Sequence, residues 1–395
     1  MSDLENFKRI YKEIFEEEVH YQNLNLTNNC IGALNNSQYT EFNTNFINRL
    51  IRLKSKFQSI PGDYQELKNT VKDIGNKKGY KWSGPYSELV ALDYWTSFKD
   101  LDDFKFVVKG DVNLMPNSLA KKIGQETLDL DLSFNLKFKK IYMDVKSFIP
   151  THFELIDRII EEVEKLIPNK DFLIGIEHLN GGNYLSVKSD IQVELKNRKL
   201  IDALVEAIND DKAILNYSTI SGNIYKFRMA YPNGNKIVSL ITEDTFNPYE
   251  AAQKNKFKGL DYYNKLLIDE PSLLTFVINP WFNREAIGSS LTETFYRAFS
   301  RRIFIEFKNC KDDISSALGI QVPITQQEIS EKISGIVFIV DNSVIQKGEN
   351  LYKTYIYLNP NATNYRLSKG SFDILNWSSH DKQPEVIEDF EFDNY

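Results

Sequence analysis

Two neighbouring segments carry charged side chains inside otherwise apolar sequence. Asp144-Val145-Lys146 closes the apolar run Ile141-Tyr142-Met143, and Asp131 lies within Leu128-Asp129-Leu130-Asp131-Leu132-Ser133-Phe134. Side chains two residues apart share a face of a strand, so Asp144 and Lys146 point the same way, and Asp131 can lie opposite them on a paired strand. A buried charge is costly unless it is paired or binds a metal. The pattern therefore predicts two anions and a cation on one small patch.

A third carboxylate is expected from a helix. Glu88 shares its helix face with the apolar residues at the i+3, i+4 and i+7 positions and should point toward the sheet, whereas Asp93 should lie on the polar side. Like charges about 4 Å apart repel by roughly 4 kcal/mol at an effective dielectric near 20, so three gathered carboxylates need a cation. Hard oxygen ligands, without a thiolate or imidazole, favour Mg²⁺ or Mn²⁺ over zinc.

The elements that must position these groups are predicted in the order α, β, β, β, α, β. The predicted ranges are 85–98 (helix), 104–109, 127–136 and 140–148 (strands), 151–167 (helix) and 172–176 (strand). Residues 1–79 carry apolar side chains at helical spacing, without an alternating strand pattern. The fold class expected is α/β in this core and α+β overall.

This order, with Glu88 on the helix, Asp131 on a strand and Asp144-Val145-Lys146 on the next strand, resembles the catalytic core of the PD-(D/E)xK nucleases, the restriction-endonuclease-like superfamily. The resemblance implies that Glu88, Asp131 and Asp144, with the Val145 carbonyl, bind one or two divalent cations, Mg²⁺ or Mn²⁺. It also implies that Lys146 positions or activates the attacking water.

The resemblance covers residues 85–178 and departs from the family pattern at one position. Leu130, not proline, precedes Asp131, which leaves Asp129 as a competing ligand on the same face. We prefer Asp131 because it lies deeper in the strand. Membership of the superfamily would imply a DNA endonuclease of restriction or phage-defence type.

The residues fit this chemistry independently of the resemblance. Phosphodiester hydrolysis needs stabilised negative charge and a deprotonated water, and a carboxylate-held metal provides both. An adjacent lysine adds a fixed positive charge. In the simpler alternative, Asp144 and Lys146 form only a partly buried ion pair, with Glu88 solvated at a helix start. Two further alternatives are an RNase with the same metal chemistry and a catalytically silent nucleic-acid-binding or protein-interaction module on this fold.

The short motif alone is weak, because an acidic residue two positions before a lysine recurs in the chain. The serious rivals are Asp190 with Glu194-Leu195-Lys196, and Glu306-Phe307-Lys308 at the end of a strand predicted over 303–307. The carboxylate contributed by Glu88 decides in favour of Asp144.

The C-terminal region is expected to be α+β, with a helix from Ser290 to about Arg302. Strands are predicted over 335–340 and 353–358, and Asn233-Gly234 indicates a hairpin. Interleaved aromatic and basic residues can stack on bases and grip phosphates. On that basis the predicted nucleic-acid-binding residues are Arg297, Arg301 and Arg302, beside the aromatic segment Asn279-Pro280-Trp281-Phe282.

Length and composition set the frame for these expectations. At 395 residues the chain should divide into two or three regions, which we place at 1–79, 80–180 and 181–395. The net charge of −7 is partly due to an acidic C-terminal tail and does not exclude a nucleic-acid partner, which needs only a local basic surface. Basic clusters are Lys137, Lys139 and Lys140; Lys254, Lys256 and Lys258; and Arg297, Arg301 and Arg302.

Cysteine, histidine and hydropathy patterns exclude several other classes. The two cysteines form no CxxC and the four histidines are scattered, which argues against a zinc site or a disulfide framework. No signal core or bilayer-length apolar run is present, so a cytoplasmic protein without a membrane partner is expected. Double-strand cleavage would suit a symmetric homodimer.

Overall fold

The chain folds into two compact units, Met1–Phe148 with Gly259–Tyr395, and Ile149–Lys258. The boundary divides the expected core, 80–180, between residues 148 and 149. The computed structural model describes residues 3–21, 30–34, 39–77, 79–112, 118–149, 151–179, 183–231, 247–267, 269–279, 291–344, 351–378 and 382–389. Within these ranges, no helix has both the length and the apolar character needed to cross a bilayer.

Four helices open the chain, and strands and helices are interspersed after them. The helices are α1 (Asp3–Phe15), α2 (Thr40–Phe57), α3 (Pro61–Asn76), α4 (Ser83–Thr96), α5 (Leu119–Lys122), α6 (Thr151–Leu166), α7 (Tyr184–Asn197), α8 (Lys199–Asn209), α9 (Pro248–Asn255), α10 (Leu291–Arg301), α11 (Ser315–Leu318), α12 (Gln326–Ser330) and α13 (Asp373–Ser378). The strands are β1 (Asp102–Asp111), β2 (Thr127–Leu136), β3 (Lys139–Ser147), β4 (Leu173–His178), β5 (Ile214–Ser218), β6 (Ile224–Ala230), β7 (Ser272–Ile278), β8 (Gly335–Asp341), β9 (Tyr352–Leu358) and β10 (Glu385–Ile387).

The first unit is built on a seven-stranded mixed sheet with the order β1-β2-β3-β7-β8-β9-β10. Strands β1, β2 and β3 form an antiparallel meander, whereas β7 lies parallel to both β3 and β8. Every residue of β7 and β8 is buried, as expected for parallel strands covered on both faces. The mixed α/β class expected from the sequence is therefore confirmed.

One face of this sheet packs against the N-terminal helices. Met143 and Val145 of β3 belong to the same apolar cluster as residues of α1 to α4, and the cluster continues across β8 and β9. Because side chains alternate along a strand, Asp144 and Lys146 lie outside this apolar cluster. The expected N-terminal helical region shares one core with the sheet.

A buried polar network also ties the N-terminal helices to the sheet. The guanidinium group of Arg49 is fully buried, donates from Nε to the hydroxyl of Tyr352 at 3.0 Å, and approaches Asp341 at 3.3 Å. Asp341 also accepts a hydrogen bond from Tyr86. These contacts join α2 and α4 to the ends of β8 and β9.

Helix α4 is buried over most of its circumference, contrary to the expected polar outer side. It packs against α2 and α3 as well as against β3 and β7. Asp93 is 3% exposed and accepts hydrogen bonds from Arg52 at 2.9 and 2.6 Å and from Tyr352 at 2.6 Å. The prediction that Asp93 faces solvent was wrong because other helices cover that side.

The second unit contains a separate sheet of three antiparallel strands in the order β4-β6-β5. Helix α6 packs against α7, α8 and β4. The strand predicted over 172–176 thus exists as β4, but it does not pair with β3. The strand beside β3 is β7, which the sequence analysis did not predict.

Three other predictions differ in outcome. The prediction of a strand over 303–307 is wrong. Arg302–Glu306 forms a π turn and Phe307–Asn309 a 3₁₀ turn, and both extend helix α10. Its apolar residues at 303, 304 and 307 are buried at helical spacing.

The helix from Ser290 and the strands over 335–340 and 353–358 correspond to α10, β8 and β9, with Ser290 itself outside the described residues. The Asn233-Gly234 turn and the aromatic segment 280–282 also lie outside them.

Candidate active site

The structure brings Asp131, Asp144 and Lys146 together. The ammonium nitrogen of Lys146 lies 3.1 Å from Oδ1 of Asp144 and 3.7 Å from Oδ2 of Asp131. The Asp144 side chain is 4% exposed, that of Asp131 17% and that of Lys146 30%. The pairing that the sequence predicted for these three residues is therefore present, where the pairing of β2 with β3 stops.

Asp131 reaches this position because the pairing between β2 and β3 stops next to it. The last pair of the antiparallel register is Leu132 with Met143. Beyond it, Oδ2 of Asp131 accepts a hydrogen bond from the backbone N–H of Val145 at 2.7 Å. A side chain thus takes the place of a ladder bond and holds the carboxylate against Lys146.

Asp131, not the competing Asp129, contributes its carboxylate to this cluster. The side chain of Asp129 is exposed, and the residue contacts the site through its carbonyl oxygen, which accepts a hydrogen bond from Lys265. The preference for the residue deeper in the strand agrees with this geometry.

Lys265 and Tyr262 are site residues that the sequence analysis missed. They belong to a 3₁₀ segment, Lys256–Lys265, which precedes β7. Nζ of Lys265 lies 3.3 Å from Oδ1 of Asp144, and the Tyr262 ring centroid is 5.3 Å from Nζ of Lys146. Neither residue stands in a local motif, so no sequence signal pointed to them. Asp144 is consequently paired with two lysines.

Glu88 lies on α4 and interacts electrostatically with Asp131, Lys146 and Asp144, but it forms no hydrogen bond or ion pair with them in the described part of the chain. Burial raises the pKa of its carboxyl to about 8, and the charges of Asp131 and Asp144 act in the same direction. The positive charges of Lys146 and Lys77 oppose this shift without reversing it. At neutral pH without a metal, Glu88 is mainly protonated.

Burial and neighbouring charges also perturb the other two groups. Burial, followed by the charge of Asp131, raises the pKa of Asp144 to about 6, against the opposing effects of Lys146 and Lys265. Burial alone would lower the pKa of Lys146, but Asp144 and Asp131 outweigh it and hold that pKa above its usual range. Lys146 is therefore a permanent cation at this site.

The oxygen atoms at this site are of the type that Mg²⁺ or Mn²⁺ prefers, but they do not converge on one position where an ion could bind. The carboxylates of Glu88, Asp131 and Asp144 and the Val145 carbonyl offer hard oxygen ligands. Oδ2 of Asp144 is buried without a hydrogen-bond partner in the described part of the chain. However, no group of three or more histidine, cysteine, aspartate or glutamate residues in that part is placed to hold a metal ion.

The rival acidic motifs have other roles in the structure. Asp190 and Glu194 lie on α7 in the second unit and are fully buried. Asp190 accepts hydrogen bonds from Thr219, Asn223 and Tyr225 at 3.0, 2.6 and 3.1 Å. Glu194 accepts from the N–H of Leu200 at 3.2 Å and from the hydroxyl of Tyr217 at 3.0 Å. Both carboxylates of this rival motif are therefore engaged in hydrogen bonds inside the second unit.

The Glu306 motif also loses its strand context. Glu306 is exposed and lies on the π turn that follows α10, so the side-chain alternation assumed for a strand does not apply to it. This residue offers a surface control for experiments on Asp144.

The predicted nucleic-acid-binding arginines occupy different surroundings. Arg297 donates to the carbonyl oxygen of Asp389 at 3.1 Å, and Arg302 donates to that of Ala298 at 3.1 Å. Burial lowers the pKa of Arg302. Arg301 lines a cavity.

The other basic clusters are largely engaged within the protein. Lys137 donates to the Gly370 carbonyl at 2.6 Å, Lys139 lies 3.6 Å from Glu270, and Lys140 lies 2.7 Å from Asp103. In the remaining cluster, the side chains of residues 256 and 258 are buried. Both clusters therefore have internal roles in the part of the chain that the structure describes.

Comparison of the chain with models of known protein families, with curated proteins and with solved structures gives no match in any of the three. The nuclease resemblance consequently depends on the motif residues and their geometry.

Proposed function

We propose that this protein is a metal-dependent nuclease that hydrolyses phosphodiester bonds, with DNA as the expected substrate. The observation that carries the proposal is the convergence of Asp131, Asp144 and Lys146 where the pairing of β2 with β3 stops. A role in restriction or phage defence follows only from the resemblance to the PD-(D/E)xK superfamily.

The sheet supports the expected core if the second unit is an insertion in the chain. Strands β1, β2, β3 and β7 are adjacent in the sheet, and β7 runs parallel to β3. Helix α4 packs on β3 and β7. These elements can supply the first helix and the four strands of an αβββαβ order, with β7 in place of β4.

In this proposal, Asp144, Asp131, Glu88 and the Val145 carbonyl would hold Mg²⁺ or Mn²⁺. When bound, the ion would polarise a phosphoryl oxygen and lower the pKa of a bound water. Lys146 supplies a fixed positive charge beside the reacting phosphate, where negative charge accumulates. Asp144 orients that ammonium group through their 3.1 Å contact, and Tyr262 lies beside it.

Charge balance favours an added cation only when Glu88 is ionised. Lys146 and Lys265 offset Asp131 and Asp144, while a protonated Glu88 adds no charge. Ionised Glu88 leaves one net negative charge among these five groups. We therefore infer that Glu88 would help to hold the ion in its ionised form, together with Asp131 and Asp144.

A second candidate is a catalytically silent nucleic-acid-binding or protein-interaction module on the same fold. The unassembled donor set favours it, because both aspartates are already paired with lysines. In this alternative the charged residues serve only to stabilise the sheet where the pairing of β2 with β3 stops.

The test is incubation of the purified protein with supercoiled plasmid, single-stranded DNA and RNA, each with Mg²⁺, Mn²⁺ or EDTA. Cleavage that requires a divalent ion and is abolished by Asp144→Ala supports the nuclease, and the preferred substrate separates DNase from RNase. Glu306→Ala is the matched control, since it removes an exposed carboxylate from the rival motif.

Two results would count against the proposal. Absence of cleavage of all three substrates in both metals would favour the silent module. Folded Asp144→Ala protein that cuts as fast as the parent would place the activity elsewhere.

A further inference from the structure

A cavity of about 700 Å³ lies in the first unit, on residues that follow α10 and β9. Its lining combines three basic side chains, two amides, two apolar residues and two carboxylates. These residues are Arg301, Lys308, Arg366, Asn309, Asn361, Ile305, Pro360, Glu388 and Asp389.

The basic residues converge from separate parts of the chain. Arg301 ends α10, Lys308 lies in the 3₁₀ turn Phe307–Asn309, and Arg366 follows β9. Within the described ranges, neither Lys308 nor Arg366 forms an ion pair, and both are exposed. Their positive charges therefore remain accessible to an external anion.

The composition of the cavity favours contact with phosphates over recognition of bases. Guanidinium, ammonium and amide groups donate to phosphate and sugar oxygens. Among the described residues, no aromatic side chain lines the cavity, so it lacks the platform on which bases stack. A cavity of about 700 Å³ has room for a short stretch of one strand and not for a duplex.

Two carboxylates from the acidic C-terminal segment line the same cavity. Glu388 accepts a hydrogen bond from the backbone N–H of Lys369, and the carbonyl oxygen of Asp389 accepts from Arg297 at 3.1 Å. These contacts hold the segment beside the cations that would face a phosphate. The negative charges of the two carboxylates thus repel an anion that enters the cavity.

We propose that this cavity binds the phosphodiester backbone of a single nucleic-acid strand and that Glu388 and Asp389 weaken this binding by repelling its phosphates. The proposal rests on the proposed function for the identity of the partner. It assigns Lys308, Arg366, Glu388 and Asp389, which the sequence had not linked to binding, to one site with Arg301.

The experiment measures binding of a fluorescent single-stranded oligonucleotide by anisotropy in EDTA, across a range of salt concentrations. The triple variant Arg301→Gln, Lys308→Gln and Arg366→Gln should bind more weakly. The slope of log K against log salt should become shallower by about 0.7 for each phosphate that the variant no longer neutralises. Glu388→Gln with Asp389→Asn should bind more tightly than the parent, and duplex DNA should show smaller effects in both variants.

The control is Lys99→Gln, which removes one exposed lysine after α4. Unchanged affinity and salt slope in the folded triple variant, relative to this control, would overturn the site. Equal effects on single strands and duplex would overturn the single-strand assignment, and weaker or unchanged binding by the carboxylate variant would overturn the repulsion assigned to Glu388 and Asp389. Because EDTA prevents metal-dependent cleavage, these outcomes do not depend on whether the protein cuts its ligand.

Discussion

Lys146 distinguishes the catalytic and structural interpretations of the cluster. If its charge acts on the water or the developing phosphorane, Lys146→Ala should leave metal binding nearly normal and slow cleavage by about a hundred- to thousandfold, or roughly 3–4 kcal/mol. The folded state should remain stable because Lys265 still pairs with Asp144 at 3.3 Å. Single-turnover cleavage and thermal melting of the same variant measure the two effects.

Lys265→Ala is the matched control for this prediction. It also removes one ammonium group from Asp144, but Lys265 is held by the Asp129 carbonyl and lies outside the predicted motif. We expect a smaller loss of rate. A large drop in melting temperature for Lys146→Ala, with unchanged turnover of the folded fraction, would contradict the catalytic role.

The raised pKa of Glu88 predicts a pH dependence of stability in EDTA. The folded pKa is about 8 against an ordinary value of 4.5, so between these values the folded state holds a proton that the unfolded state has lost. The free energy of unfolding should therefore fall as pH rises through this window, by at most about 5 kcal/mol for a pKa difference of this size. Glu88→Gln should remove this loss.

Chemical denaturation of parent and Glu88→Gln at pH 5, 7 and 9 measures the effect. The variant should gain stability relative to the parent as pH rises, with most of the change complete by pH 9. A constant difference across the series would mean that Glu88 is not buried among like charges. Asp93→Asn is unsuitable as a control, because Asp93 pairs with Arg52 and Tyr352.

At the level of elements, short-range pattern predicted β2 and β3 well but could not predict their neighbour. The predicted bounds of β2 match those observed, and those of β3 agree to within one residue, because their apolar and charged residues are distinctive. β7 was missed, and its parallel pairing with β3 joins segments separated by the whole second unit. Lys265 was missed for the same reason, since its contact with Asp144 depends on that long connection.

The sequence pattern also could not predict which helices pack against one another. The periodicity of α4 correctly indicated a side facing the sheet, but it could not reveal that α2 and α3 cover the other side. Asp93 therefore became part of a buried network with Arg49 and Arg52 instead of facing solvent. Burial by a distant element is a tertiary effect that local amphipathicity does not encode.

The buried network predicts a large contribution of Arg49 to the packing of α2 on the sheet. Arg49→Ala leaves Asp341, which is fully buried, without its cation. We expect a loss of about 3–5 kcal/mol in the free energy of unfolding. Arg9→Ala is the control, since its ion pair with Glu13 is exposed and should contribute less than about 1 kcal/mol. Urea denaturation measures both, and similar small losses would argue against the network.

For the whole molecule, two compact units predict that stability is not uniform along the chain. Glu194 is buried in the second unit, where it accepts hydrogen bonds from Leu200 and Tyr217. Glu194→Ala leaves buried donors unsatisfied and should destabilise that unit by about 1–3 kcal/mol per donor. Local unfolding can then occur in one unit without the other.

Hydrogen exchange followed by mass spectrometry tests this division. In Glu194→Ala, amide exchange should accelerate in peptides from Ile149–Lys258, with little change in peptides from β2, β3 and β7. Lys196→Ala, an exposed change on the same helix, should leave exchange near that of the parent. Equal acceleration in both units of Glu194→Ala would mean that the chain unfolds as one cooperative structure. If the two units are independent, the cluster around Asp144 should keep its protection, because every residue assigned to it lies in the first unit.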